Sequence, residues 1–343
     1  MPERLALVGA GAIGRRHLNA IGNSKTAELA AIVDPSPHAR LLADESGVPH
    51  FEDTAQMLKA VAPTGVIVAT PTEHHSAPAL TALNHSCHVL IEKPIAATLA
   101  DAQEIIELSN STNKHVLVGH HRRYYPQVEK AREIVQSGAL GKIVAVSGQW
   151  CLRKHDEYYE PDWRKKWQAG PVLTNLIHEM DYLRYILGPV DSVQAETSNE
   201  IQGFEKEDAA AILLRFASGA LGTFVLSDQA DSPWAWEFAT GETRFYPCSG
   251  QNCIRFMGTN GALDFPNLQL WNSTEKTGNW YSPMAVEEFG LELGDAFTRQ
   301  IDHFTDVIAG RAQPGVTAID ATQTLKATLA VLKAANTGTR VEL

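Results

Sequence analysis

Short apolar runs alternate with helical patterns along the first third of the chain. Leu5–Val8 precedes a glycine-rich turn and a helix through Ile21, and Leu29–Val33 precedes a helix from Pro37 to Ser46. Val66–Ala69 leads to a helix from Pro78 to Asn84. Val89–Ile91 leads to a helix from Leu99 to Ser109, and Val116–Val118 ends the series. Runs this short with no polar face suit strands covered on both sides. Repeated strand–helix alternation predicts a parallel, doubly wound sheet.

The pattern changes near Tyr125-Pro126. A helix is expected from Gln127 to Ser137, with Gly138 at its C-terminal cap. Strands then follow without regular intervening helices: Ile143–Trp150, Val190–Thr197, Ala209–Phe216 and Ala220–Leu226, the last two joined by a tight turn at Gly219. One helix, Val172 to Ile186, interrupts them and stops at Gly188-Pro189. Helical patterns near Leu293–Ala309 and Ile319–Ala335 close the chain. The expectation is α/β throughout: a doubly wound domain over residues 1–123, then an α/β domain over 124–343 with a large, mainly antiparallel open sheet. The closing helices are free to pack back on the first domain.

Length agrees, since 343 residues exceed one ordinary core. A net charge of −11 argues against a nucleic-acid surface. No apolar run nears the ~20 residues that span a bilayer. Met1-Pro2-Glu3-Arg4 runs straight into a strand pattern, so no signal peptide is expected. Cys87, Cys151, Cys248 and Cys253 lack framework spacing and fit reduced thiols of a cytoplasmic protein. His85-x-x-His88 and the pair Cys248 and Cys253 lack the spacing of a tetrahedral site, so no metal is expected.

Chemistry enters at the turn after the first strand, Gly9-Ala10-Gly11-Ala12-Ile13-Gly14. In a dinucleotide-binding turn the first glycine makes the tight bend, the second admits a pyrophosphate, and the third lets the helix pack on the sheet. The helix N-terminus then offers free N–H groups to phosphate, so Gly9, Gly11, Ala12, Ile13 and Gly14 are candidate cofactor contacts. Asp34 ends the second strand, where a carboxylate would bind the adenosine ribose hydroxyls and repel a 2′-phosphate. NAD is therefore expected over NADP, although nearby Arg40 opposes that preference. Thr70-Pro71, at another strand end, and His75 are candidates for the nicotinamide half. Ordinary strand-end turn residues are the competing reading for each.

Val89–Ile91 runs into Glu92-Lys93-Pro94, again at a strand's carboxyl end, where parallel sheets bind ligands. A lysine there can lose its proton if desolvated or beside another cation. A second signal is the helix holding Thr174, Asn175, His178 and Asp181 among Leu173, Leu176, Ile177 and Met180. Thr174, His178 and Asp181 fall at i, i+4 and i+7 and share a face. Polar groups on an otherwise apolar helix are costly unless paired or used. A nicotinamide, a lysine and a histidine suit hydride transfer from an alcohol carbon, with histidine taking the hydroxyl proton and lysine stabilising developing negative charge. The segment Trp150–Trp167, with Arg153, Lys154, His155, Tyr158, Tyr159, Trp163 and Arg164, is basic and aromatic in an acidic chain. It suits a sugar ring or an anionic substituent, or else a solvated loop.

These motifs together resemble the Gfo/Idh/MocA oxidoreductases, the glucose–fructose oxidoreductase and inositol dehydrogenase family, over nearly the whole chain. The resemblance rests on Gly9-x-Gly11-x-x-Gly14, Thr70-Pro71 with His75, Glu92-Lys93-Pro94, Gly119-His120-His121-Arg122-Arg123, Trp163-Arg164 and His178-x-x-Asp181, with His303-Phe304 and Thr337-Gly338 near the end. It implies a Rossmann domain, a C-terminal domain whose open sheet forms a homodimer or homotetramer interface, and NAD(P)-linked chemistry on a sugar, polyol or cyclitol. It implies catalytic roles for Lys93 and His178, aided by Asp181, Asn175 and Thr174. Cofactor contacts are further implied for Glu92, Lys93, His121, Trp163 and Arg164. Substrate contacts are implied for Lys93, Arg122, Tyr124, Arg153, Trp163, Asn175, His178 and Asp181. Members often carry Asp four residues before the histidine, where this chain has Thr174. Two rivals remain: an NAD-dependent glycosidase working by transient oxidation and elimination, and a non-enzymatic NAD-binding regulator.

Overall fold

A computed structural model describes residues 1–243, 245–275 and 278–343. Arg244 lies outside it, as do Lys276 and Thr277 of the polar loop 273–282. The chain divides into two compact units, Met1–Tyr124 with Asp295–Leu325, and Tyr125–Gly294 with Lys326–Leu343.

In the first unit strands and helices alternate. They are β1 (Glu3–Val8), α1 (Ala12–Asn23), β2 (Ala27–Val33), α2 (Pro37–Ser46), β3 (His50–Phe51), α3 (Thr54–Val61), β4 (Gly65–Val68), α4 (Ser76–Asn84), β5 (His88–Ile91), α5 (Leu99–Thr112) and β6 (Val116–Val118). The six strands are parallel in the order β3-β2-β1-β4-β5-β6, with the switch between β1 and β4. Leu5, Leu7, Ile67, Leu90 and Leu117 are completely buried, as both-face coverage demands of a parallel sheet. Gly65 admits its cover: a Cβ there would come within 3.0 Å of the Phe304 ring. Phe297, Ile301, Phe304 and Val307 supply that cover from a late helix, α9 (Ala296–Ile308), which belongs to this unit.

The second unit comprises α6 (Pro126–Gln136), β7 (Ile143–Cys151), α7 (Ile177–Leu187), β8 (Val190–Ser198), β9 (Ala209–Phe216), β10 (Leu221–Ser227), α8 (Trp236–Thr240), β11 (Ile254–Gly258), β12 (Gly261–Phe265), β13 (Gln269–Ser273), β14 (Met284–Glu288) and β15 (Val341–Glu342). α10 (Ala318–Thr337) begins in the first unit and ends in the second. Its nine-stranded sheet runs β14-β13-β12-β11-β7-β10-β9-β8-β15, antiparallel except for β7 with β10. Alternation along β9 and β10 buries Ile212, Leu214, Phe224 and Leu226 and leaves the other face open. On that open face Val144, Leu213, Leu221 and Val225 are each about half exposed.

The helix expected from Val172 forms without a break, but its first part is not α-helical. Residues Val172–Leu176 make a π-turn, and regular α7 starts at Ile177. The wider i→i+5 turn takes Thr174 out of the α-helical register that would align it with His178 and Asp181.

Candidate active site

The glycine turn of the first unit is built for close approach. Gly9 has φ +95°, and a Cβ on it would come within 2.6 Å of the Ala69 backbone. Gly11 is the N-cap of α1, has no side-chain capping bond, and faces open space: a Cβ there would meet nothing within 4 Å. The first N–H groups of α1 are therefore uncapped by any side chain, beside exposed Ala12 and Ile13. Asp34 ties this turn to the end of β2. Its Oδ2 accepts from Ala10 N at 2.8 Å and its Oδ1 from Ser36 N at 2.8 Å. Burial acts to raise its pKa, but the Ala10 and Ser36 hydrogen bonds outweigh that and hold the carboxyl below its usual range. With about four acceptor sites, the carboxylate keeps capacity for a hydroxyl beyond its bonds to Ala10 and Ser36. Arg15 on α1 touches His38 on α2. Neither was singled out from the sequence, because the contact joins two helices.

At the next strand ends, His75 sits buried with Nδ1 2.8 Å from Pro94 O and Nε2 2.9 Å from Thr70 O. It thus spans the ends of β4 and β5 rather than projecting into an open groove, and burial lowers its pKa. Glu92 is buried too. Its Oε1 meets His17 Nε2 at 2.8 Å and its Oε2 accepts from Lys93 N at 3.1 Å. Lys93 is half-buried beside it. Burial would raise the Glu92 pKa, but the His17 hydrogen bond and charge, with His121 and Lys93 behind them, bring it to about 2. His17 is a further residue that sequence reading missed. Its only sequence signal was a histidine on the buried stripe Gly14, His17, Ala20, Ile21 of α1. His121 stacks on Phe297 at 4.6 Å between ring centroids, Arg122 is buried, and Tyr124 lies beside His303 at 5.6 Å.

The second unit gathers the other predicted residues around α7. Gly170 O faces the Thr174 hydroxyl at 3.0 Å, and Asn175 Oδ1 faces it at 2.9 Å. Asn175 Oδ1 also accepts from Lys154 Nζ at 3.0 Å. His178 and Asp181 are both buried on α7. Glu207 accepts from Val172 N at 2.8 Å and so anchors the start of the π-turn. Lys154 points inward, over the Tyr158 and Trp150 rings, and lies 3.8 Å from Asp228. Its predicted neighbour Arg153 instead is 58% exposed and pairs with exposed Asp156. Arg164 stacks on Tyr158 at 4.1 Å and donates to its carbonyl, while Trp163 is exposed. No helix among the described residues is long and apolar enough to cross a membrane.

Residues 4–120 match a family described as oxidoreductases with an NAD-binding Rossmann fold, and residues 128–264 match the GFO/IDH/MocA C-terminal domain. The rhizopine catabolism protein MocA of Rhizobium meliloti is 28% identical over 71% of this chain and 78% of its own length. The NAD(+)-dependent scyllo-inositol 2-dehydrogenase of Bacillus subtilis strain 168 is 25% identical over 99% of this chain and 96% of its own. In fold, the chain is similar to the WlbA dehydrogenase of Bordetella pertussis, solved with NADH and UDP-GlcNAcA. The TM-score is 0.81 at 23% identity, covering 100% and 99% of the two chains.

Proposed function

This chain belongs to the Gfo/Idh/MocA family of NAD-dependent oxidoreductases, and we propose that it moves a hydride between nicotinamide and a ring hydroxyl of a sugar, sugar derivative or cyclitol. The observation that carries the reading is Lys93, held at the carboxyl end of β5 in the same sheet whose glycine turn is shaped for a pyrophosphate. Relatives named as inositol dehydrogenases support the substrate class.

The residues present fit the dinucleotide. Gly9, Gly11 and Gly14 with the open N-terminus of α1 would hold its pyrophosphate, and Asp34 its adenosine ribose. Thr70, Pro71 and His121 would border the nicotinamide half. The bound cofactor supplies the hydride acceptor or donor. In the direction of oxidation, Lys93 and His178 share the transfer of the hydroxyl proton, and Lys93 also orients the oxygen and stabilises its developing charge. Asp181, beside His178 on α7, orients the imidazole or the substrate. Thr174 is engaged near Gly170 O, so the hydrogen-bonding part falls to Asn175, whose oxygen Lys154 holds.

The open apolar face of β7, β9 and β10 suits pairing with a second copy of the chain. Light scattering tests this: Val225→Lys should reduce the assembly to a smaller species, and an unchanged mass would refute that interface. Chemistry is tested by following reduced nicotinamide absorbance with NAD across sugars, sugar acids and cyclitols. Net NADH formation with at least one of them is expected. NAD binding without any turnover, or aglycone release from glycosides without net NADH, would overturn the reading.

A further inference from the structure

Lys93 is fixed from both sides by groups the reaction itself does not use. Its own N–H donates to Glu92 Oε2 at 3.1 Å. The next residue's carbonyl, Pro94 O, lies 2.8 Å from His75 Nδ1, and that ring is anchored on Thr70 O. Glu92 in turn is held by His17, whose side chain is fully buried and which sits one turn into the helix that opens at the glycine turn. The carboxylate has no slack. Gly119 leaves it room, since a Cβ there would stand 2.9 Å from the Glu92 carboxyl carbon. Phe297 closes the other side, with its ring edge-on to His17 at 5.3 Å and stacked on His121.

A buried carboxylate held by a buried side chain is a poor stabiliser of a fold, because its desolvation offsets most of what the contact gains. This one also joins the cofactor-binding helix to the backbone of Lys93. We propose that His17 and Glu92 are positioning residues for Lys93: Glu92 fixes its backbone and favours its protonated amine, and His17 keeps Glu92 ionised and in place. Charged or titratable groups acting on this corner include Glu92, His17 behind it on α1, His121 after β6, and His75 beyond Pro94. Removing the Glu92 charge makes Lys93 a weaker base. Removing His17 leaves a buried carboxylate without its partner, which takes up a proton and has the same consequence.

The inference rests on the reading of Lys93 as the proton-handling group beside the nicotinamide, and one experiment separates the two. NAD⁺ binding is measured by titration calorimetry in buffers of different ionisation enthalpy across pH, which counts the protons released. The unsubstituted protein should release protons at alkaline pH, and Lys93→Met should abolish that release. In Glu92→Gln and His17→Gln the pH of maximal release should fall by about half a unit or more, with the double variant no lower than either single one. The double variant carries no unpaired buried charge, so it serves if a single variant fails to fold. Absence of release, or release that survives Lys93→Met, overturns the reading of Lys93. Lys93-dependent release whose pH profile is unmoved in the Glu92 and His17 variants overturns the positioning role alone.

Discussion

Gly11→Ala separates binding from folding more cleanly than any other change in the glycine turn. Gly11 has φ −70° and ψ −163°, an extended conformation that alanine adopts freely, and its added methyl would meet no atom within 4 Å. The fold therefore meets no clash. Restricting the unfolded chain contributes ~0.4–1 kcal/mol, and the poorer N-cap preference of alanine costs a comparable amount, so stability should stay near that of the parent. The same methyl stands where a pyrophosphate must approach the N–H groups of α1. Losing one charge-assisted hydrogen bond there, with partial loss of a second, costs about 2–3 kcal/mol, or roughly 30- to 150-fold in affinity. Thermal unfolding and a fluorescence titration with NADH measure both. A variant as stable as its parent with strongly weakened NADH binding is expected. Parental affinity would refute the assignment of this turn to the cofactor, and a large drop in melting temperature would refute the claim that Gly11 is free of packing duty. Gly9→Ala is the contrast, with a positive φ and backbone only 2.6 Å from the new Cβ, so it should unfold at lower temperature as well.

Two further outcomes follow from the electrostatics. Asp34→Ser removes the carboxylate that repels a 2′-phosphate, so the ratio of NADP to NAD affinity should rise at least about tenfold; a ratio that stays constant in paired titrations would exclude Asp34 from cofactor choice. His88 is pushed down to about 4, mainly by burial and then by Lys114 and His115, from 6.5. The unfolded chain therefore binds the extra proton between pH 6.5 and 4, and stability should fall as pH drops through that window. His88→Gln should flatten that part of a melting-temperature profile, and an unaltered slope would contradict the assignment.

The doubly wound half of the fold was legible because its strands are buried on both faces and its helices begin and end on punctuating residues. β3 and α3 were not, since two residues, His50 and Phe51, carry no periodicity. Strands β11 to β14 were hidden for a different reason: turns crowd them, and β14 is exposed along its whole length. The glycine turn, Asp34, Lys93 and His178 stood out as candidates through spacing and through polar residues in apolar settings. The π-turn at Val172–Leu176 did not, because shifting a backbone hydrogen bond leaves the pattern of side chains unchanged. Arg153 and Lys154 are adjacent cations that the sequence treats alike, and only the strand end of β7 decides that Lys154 turns inward. Glu92 is a cofactor contact only by resemblance, and the engagement of its carboxylate with His17, a partner 75 residues away in sequence, shows in no local pattern.

The most direct measurement is turnover and NADH binding of Lys93→Ala, made with the alcohol the unsubstituted protein oxidises fastest. Loss of a general acid–base group and of charge stabilisation together should lower kcat by at least about 10³-fold while NADH affinity stays within a few-fold. Near-normal kcat in that variant would contradict the role given to Lys93 and, with it, the proposed chemistry.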